Sequence, residues 1–244
     1  MVVRSPYEFD LIDDCLTCPV RHDRLFCTLP TPAIQMLETI TAPELYPKGV
    51  LLCLEGHRAH GIHVLCHGSA KVYAKSAGGK TIILRIAGPG ELVGLTGVIS
   101  GGNYEASVET LRPTQANFVS RQDFLRFLAR FPEVGMKSAQ QLAHSCQCAY
   151  EEIRTLRLAG SVSDRMASLL LQWCQQPMIH QQFTDGNPRV QVSSSQQEIA
   201  QMIGTSRETI SRVVNQFRRN GWIAIQGSTW TILDRGALQR QRIP

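Results

Sequence analysis

The chain has no apolar run that approaches the length of a membrane span. Its first residues, MVVRSPYEFD, hold no hydrophobic stretch of the signal-peptide kind. These two absences argue against a spanning helix and lead us to expect a cytoplasmic protein. Charged residues are only 18% of the 244 and hydrophobic ones 43%, which excludes a disordered, charge-swollen polypeptide. The length suits one or two domains with real cores. Lysine is missing from Ala159 to the end, where nine arginines face five acidic residues and leave a balance of +4. The 158 residues before hold only +1 of the total +5. A surplus gathered in the last third suits phosphates. Eight cysteines in a chain expected to be cytoplasmic argue against a disulfide framework and leave metal, redox or packing roles. No Cys/His pair stands in a recognisable catalytic context, so the chain does not read as an enzyme.

The most informative stretch is 193–219, SSSQQEIAQMIGTSRETISRVVNQFRR. It reads as two short helices around a tight turn. Ser195 with Glu198 forms a capping box for the first. Gly204 falls where the chain must turn through positive φ. Thr205 or Ser206 caps the second helix, and Thr205 with Glu208 fits another box. Ile210, Val213, Val214 and Phe217 recur at helical spacing and should face inward. Arg207, Glu208, Ser211, Arg212 and Asn215 fall on the other side. Arginine can donate two parallel hydrogen bonds to guanine and glutamate can accept from cytosine, so this helix fits a major groove.

Residues 15–27, CLTCPVRHDRLFC, place Cys15 and Cys18 as a C-x2-C pair, with Cys27 after eight more residues. Such a pair can aim two thiolates at one metal centre. Arg21, His22 and Arg24 are expected to lower the thiolate pKa values. Three cysteines are too few for a four-cysteine iron–sulfur or zinc site. The fourth ligand is left open, with Cys53, Cys66, Cys146, Cys148 and the histidines as candidates. Cys53 and Cys66 sit in apolar strand runs and read most simply as core residues. His57, His60, His63 and His67 meet no zinc spacing and read as scattered surface residues.

Residues 31–41 read as a short amphipathic helix. From about Glu44 to Val119, short runs punctuated by glycine argue for a small antiparallel barrel or jelly roll. Residues 120–131 form an amphipathic helix ended by Pro132. A long helix then runs to about Leu158. Gly135, Ala139, Leu142, Cys146, Ala149, Ile153 and Leu156 make a heptad seam on it, which predicts pairing with a second copy. Residues 159–163, AGSVS, read as a hinge and 164 onward as a helix. Asp185–Gly186 suggests a hairpin turn, and WIAIQGSTWTIL two strands about Gly227, a wing.

The run GTSRETISRVVNQFRRNGWI resembles the C-terminal motif of the CRP/FNR family of bacterial transcription regulators. The resemblance extends over most of the chain. It implies an α+β chain: an N-terminal cysteine segment (1–29), a cyclic-nucleotide-binding-like β-roll or jelly roll (30–132), a dimerisation helix (133–159) and a winged helix-turn-helix (160–244). PGELVG, residues 89–94, is similar to the family's β-roll turn motif, and Gly68 and Gly79 fall where the family places hairpin glycines. The family's phosphate-binding arginine aligns with Tyr104, followed by Glu105, and its adenine-contacting hydroxyls with Tyr150 and Glu151. Glu91 is kept. We therefore expect no cyclic AMP response.

Residues 15–27 resemble the cysteine cluster of the FNR branch, which implies a [4Fe–4S] iron–sulfur cofactor on Cys15, Cys18 and Cys27 and a sensor of oxygen, nitric oxide or redox state. That branch takes its fourth ligand at a place aligned near Thr114. Zinc, a thiol switch, or haem-bound gas and other small ligands in the same fold are the alternatives. The implied partners are a second copy of the chain, RNA polymerase, and double-stranded DNA carrying an inverted repeat of TTGAT- or TGTGA-like half-sites. Arg212 is expected on guanine, Glu208 on the paired cytosine, and Ser206 and Thr209 on phosphates, with Arg207 and Ser211 completing the reading set. Leu142, Cys146, Ala149, Ile153 and Leu156 are expected at the dimer interface.

Overall fold

The computed structural model describes residues 5–7, 9–18, 21, 24, 26–158, 160–174, 180–182, 188–192 and 194–241. The chain divides into two compact units, 1–147 and 148–244.

The first unit opens on an irregular segment and a helix, α1 (Thr31–Ile40), whose Ala33, Ile34 and Leu37 are buried. Eight strands follow: β1 (Thr41–Tyr46), β2 (Leu51–Cys53), β3 (Gly61–His67), β4 (Ala70–Lys75), β5 (Thr81–Ala87), β6 (Leu92–Val93) and, after a short helix α2 (Leu95–Ser100), β7 (Ser107–Thr110) and β8 (Thr114–Ser120). They make two four-stranded sheets, in the orders β1-β8-β3-β6 and β2-β7-β4-β5. All their pairings are antiparallel. The expected β-roll is therefore present. Leu65, Ile62, Ala116 and Val119 from one sheet join Phe26, Leu29, Phe124 and Phe127 in its core. Phe26 and Leu29 belong to the N-terminal segment, which is thus sewn into the β-roll.

Helix α3 (Arg121–Arg130) is capped by Ser120, which accepts from the Asp123 N–H. Pro132 ends it as expected and then opens α4 (Pro132–Leu158), where a proline lacks no bond the first turn would have made. Twenty-seven residues give α4 a length of about 40 Å. Among the described side chains of α4, Val134, Ser138 and Gln141, at spacings of four and three, are the buried ones.

The second unit contains α5 (Val162–Trp173), β9 (His180–Gln182), β10 (Pro188–Gln191), α6 (Gln196–Ile203), α7 (Arg207–Arg219), β11 (Ile223–Gln226), β12 (Thr229–Ile232) and α8 (Arg235–Gln241). Its sheet runs β11-β12-β10-β9. Helix α5 starts earlier than expected, because Ser161 and Asp164 form a capping box; Ser161–Ser163 of the expected hinge are its cap and first turn. The expected Asp185–Gly186 turn lies outside the described residues, between β9 and β10, which pair antiparallel. Met166, Leu170, Ile199, Ile210, Phe217 and Trp230 form the centre of this core. Among the described residues no helix is long and apolar enough to cross a membrane.

Candidate DNA-reading face and cysteine-lined cavity

The two helices of 193–219 form as their caps dictate. Ser195 Oγ accepts from the Glu198 N–H at 3.2 Å and Glu198 Oε2 accepts from the Ser195 N–H at 2.7 Å. Gly204 stands at φ 73°, ψ 40°, a left-handed conformation that ends α6 without steric cost. Arg165 on α5 donates from Nε to the Ile203 carbonyl at 3.1 Å, satisfying one of the free carbonyls at that end. The second cap differs from one expectation. Ser206, not Thr205, caps α7, accepting from the Thr209 N–H at 3.2 Å, and no box with Glu208 forms. With Ser206 as cap, the third helical residue is Thr209, so Glu208 is one place too early to reach back.

Helix α7 buries Ile210, Val213, Val214 and Phe217. Ser206, Arg207, Glu208, Arg212 and Asn215 are exposed, while Thr209 and Ser211 are half-buried. The Glu208 carboxyl is held below the ordinary carboxylate range, first by its own backbone N–H and then by the Ser206 hydroxyl. It therefore stays ionised, as an acceptor for a base amino group must. Arg212 reaches back over the same face, with Nε 3.5 Å from the Glu208 carbonyl. Gln216, Arg218 and Arg219 are also exposed at the far end of α7. They lie outside the expected contact set, although the apolar period places all three off the buried face.

The cysteines sort into distinct places. Cys15, Cys18 and Cys27 line one cavity of the first unit, and so does Cys66, with Ile34, Leu37, Val64 and Asn117 among the other walls. Cys66 is therefore not the plain core residue expected. Cys53 is buried on β2 beside the Tyr104 hydroxyl. Cys146 is exposed on α4. Among the described residues no group of three or more His, Cys, Asp or Glu side chains is placed to hold one metal ion.

The thiol chemistry also departs from expectation. Burial, followed by the Glu38 carboxylate, pushes Cys15 up to about 12. Burial, followed by Cys18, pushes Cys27 up to about 11, against the smaller lowering by Arg24 and Arg21. Desolvation outweighs the neighbouring arginines. Both arginines keep a buried Nε with no hydrogen-bond partner, and so does the Asn117 Oδ1 on the cavity wall.

The segment carrying Cys15 and Cys18 is fixed to the β-roll at several points. Gln115 on β8 donates from Nε2 to the Ile12 carbonyl at 2.7 Å and accepts at Oε1 from the Ile12 N–H at 2.9 Å. The Cys15 N–H donates to Glu38 Oε1 at 2.7 Å. Phe9 stacks on His67, with ring centroids 3.8 Å apart. His67 is thus a packing partner, and His63 is buried between the Tyr46 and Phe118 rings. Neither is the free surface histidine expected. Thr114 is also engaged, donating to the Arg112 carbonyl at 2.8 Å.

In the β-roll, Glu91 pairs with Arg85 and accepts the Gly88 N–H at 3.1 Å. The Tyr104 hydroxyl donates to the Gly61 carbonyl at 2.7 Å. On α4, Cys146 and Ala149 are exposed, Ile153 is 51% exposed and Tyr150, one turn before it, 70%; Met136, near the start of the helix, is 62% exposed. Leu142, expected on the seam, is half-buried against the β-roll core. The Leu156 side chain lies outside the described residues.

Residues 43–131 match the cyclic nucleotide-binding domain family and residues 164–241 the Crp-like helix-turn-helix domain family. The chain is 27% identical over 209 residues to a CRP-like cAMP-activated global transcriptional regulator of Mycobacterium tuberculosis, covering 86% of this chain and 92% of that one. A solved CRP-family transcriptional regulator from Thermus thermophilus superposes with a TM-score of 0.66 at 25% identity, over 81% of this chain and 95% of that one. FixK2 from Bradyrhizobium japonicum shares the fold, with a TM-score of 0.72 at 19% identity over 84% and 98% of the two chains. The M. tuberculosis and T. thermophilus relatives are transcriptional regulators, not enzymes. With a β-roll of the cyclic nucleotide-binding domain family followed by a Crp-like helix-turn-helix, the chain is a CRP/FNR-type DNA-binding transcription regulator.

Proposed function

We propose that this regulator works in the cytoplasm as a homodimer on an inverted-repeat operator and takes its signal through an iron–sulfur group held by Cys15, Cys18 and Cys27. One observation carries the sensing part. Three cysteines from an irregular segment meet at one cavity against the β-roll, beside two arginines whose buried Nε atoms have no partner. An anionic, thiolate-ligated cluster suits that surrounding, since an unpaired buried donor costs free energy that an anion would recover. When bound, such a cluster supplies a centre sensitive to oxygen, nitric oxide or redox state. The chain's own part is to hold it: Gln115 and Glu38 fix the backbone at Ile12 and Cys15, and Arg21 and Arg24 offset its charge.

DNA recognition and dimerisation fall to α7 and α4. Arg212 bonds guanine and Glu208 its cytosine partner, with Arg207 and Ser211 beside them and Ser206 and Thr209 near phosphates. TTGAT- or TGTGA-like half-sites share the TGA core this set would read. Two copies pair along the exposed stripe of α4, placing two α7 helices one helical turn apart on the duplex. RNA polymerase is the further partner.

The name of the M. tuberculosis relative favours cyclic AMP as the signal instead. Against it, the place aligned with a phosphate-binding arginine is held by Tyr104, buried with its hydroxyl committed to Gly61, and the next residue is the acidic Glu105. Anaerobic purification with iron and sulfide analysis, beside calorimetry with cyclic AMP, separates the two. We expect iron and sulfide and no heat of nucleotide binding. A saturable heat with cyclic AMP and no iron would overturn the sensing reading.

A further inference from the structure

We propose that Cys66 is the fourth protein ligand, completing the set Cys15, Cys18 and Cys27 around a polynuclear iron–sulfur cluster. The inference rests on the iron–sulfur reading above and adds the residue that closes the site.

Placement is the first reason. Cys66 lines the same cavity as the three N-terminal cysteines. Every other cysteine is elsewhere: Cys53 beside Tyr104, Cys146 exposed and Cys148 beyond it on α4, Cys174 at the end of α5.

The backbone is the second. In the β3–β8 pairing Leu65 opposes Ala116 and His67 opposes Gln115, so Cys66 is the extra residue of a β-bulge. A bulge leaves one residue unpaired and re-aims its side chain, which is why bulges gather beside functional sites. Asn117, two residues from Gln115 on the facing strand, also lines the cavity. The aligned family position, Thr114, is one residue before Gln115 on the same strand. Thr114 offers no sulfur, and its hydroxyl is spent on backbone carbonyls.

Size and charge are the third. A single zinc ion needs four sulfurs about 2.3 Å from one point, and no trio of ligating side chains is gathered in that way among the described residues. The four cysteines instead line the walls of one cavity, where each could take a different iron of a cluster. The partnerless Nε atoms of Arg21 and Arg24 supply positive charge on the Cys27 side. Arg24 packs over Gly90, a cavity residue at φ 82°, where any Cβ would collide with the arginine stem. On ligation each thiol gives its proton to solvent and a sulfur lone pair to one iron, a step that changes no oxidation state.

The test is anaerobic reconstitution of the full chain with equal ferrous and ferric iron and sulfide, which supplies a mixed-valent cluster with no outside oxidant, in wild type, Cys66→Ser, Cys66→Ala and Cys53→Ser. Iron, zinc and acid-labile sulfide are measured beside the visible spectrum. Wild type and C53S should each hold roughly four iron and four sulfide per chain. Both Cys66 variants should lose most of the iron and the visible band while keeping wild-type far-UV circular dichroism. A Cys66 variant that loads like wild type overturns the assignment and leaves the iron–sulfur reading standing. A wild type that takes up zinc or nothing overturns the reading and the assignment together. If both Cys66 variants fail to fold, alkylation of native wild type decides. Cys66 should react more slowly when iron is loaded and recover with a chelator in step with Cys15. An unchanged rate at Cys66 overturns the assignment.

Discussion

Gln141 and Leu92 are joined by a complete amide pair: Gln141 Nε2 donates to the Leu92 carbonyl at 2.7 Å, and its Oε1 accepts the Leu92 N–H at 2.9 Å. The pair is buried and ties α4 to β6. Leu92 opposes Val64 on β3, and the two residues before it bond to Leu65: Gly90 donates to the Leu65 carbonyl and Glu91 accepts the Leu65 N–H. The strand that carries Cys66 is thus linked, through one turn, to the first half of α4.

Replacing Gln141 with leucine keeps the volume but strands one buried donor and one buried acceptor of Leu92. We expect a loss of about 1–3 kcal/mol in unfolding free energy, read as a lower urea midpoint at unchanged slope. A midpoint equal to wild type would mean the pair holds nothing that water does not replace.

On α7 the two ends should behave differently. Arg212→Ala is expected to cost about 1–3 kcal/mol of operator affinity and to relax preference at one base pair. Arg219→Ala, at the exposed end of the helix, should weaken all duplexes alike and flatten the salt dependence by about one unit of slope. Titrations of operator and scrambled duplex at several salt concentrations check both. Equal losses on both duplexes for the Arg212 variant would remove it from the reading set.

The Ser206 cap gives a stability test on the same helix. Ser206→Ala removes the acceptor for the Thr209 N–H and should cost about 1 kcal/mol, whereas Ser206→Gly should cost only a few tenths. Thermal unfolding ranks the three proteins. The order wild type, glycine, alanine is expected, and alanine ranking above glycine would show that Ser206 does not act as the cap.

What the sequence disclosed follows from how local each signal is. The caps Ser195–Glu198, the turn at Gly204 and the apolar period of α7 lie within a few residues of one another, so a short window contains the whole structure. The β-roll was legible as short runs between glycines. Strand β1 was not: it follows α1 directly and contains Pro43, tolerated because β1 is a sheet edge. Helix α2 was missed because glycines flank it and no side chain caps it. Cys66 was legible only as one candidate among several. Its neighbours are apolar, so the pattern around it is that of a core strand, and the bulge that re-aims it comes from pairing with residues about fifty positions later. The arginines beside Cys27 suggested lowered thiol pKa values, and burial, which a sequence does not display, reversed the sign.

His63 makes a prediction about acid. It is buried between the Tyr46 and Phe118 rings, and its Nδ1 has no hydrogen-bond partner. Burial holds its pKa down to about 4, from an ordinary 6.5, with the Glu44 carboxylate pulling weakly the other way. Between those two values the unfolded chain binds a proton that the folded chain refuses. Stability is therefore fully present above pH 6.5, falls as the pH is lowered towards 4, and loses nothing further from this group below that. The window corresponds to on the order of 3 kcal/mol at most. His63→Leu cannot bind the proton, so its unfolding free energy should gain on wild type steadily from pH 6.5 to 4. Carboxylates common to both proteins cancel in that difference, apart from Glu44, which an E44Q background removes. Denaturant unfolding of the two proteins across this range, in the same metal state, is the measurement. Parallel curves would mean that His63 takes up its proton in the folded protein without cost, and that its ring is not sealed from water as the packing requires.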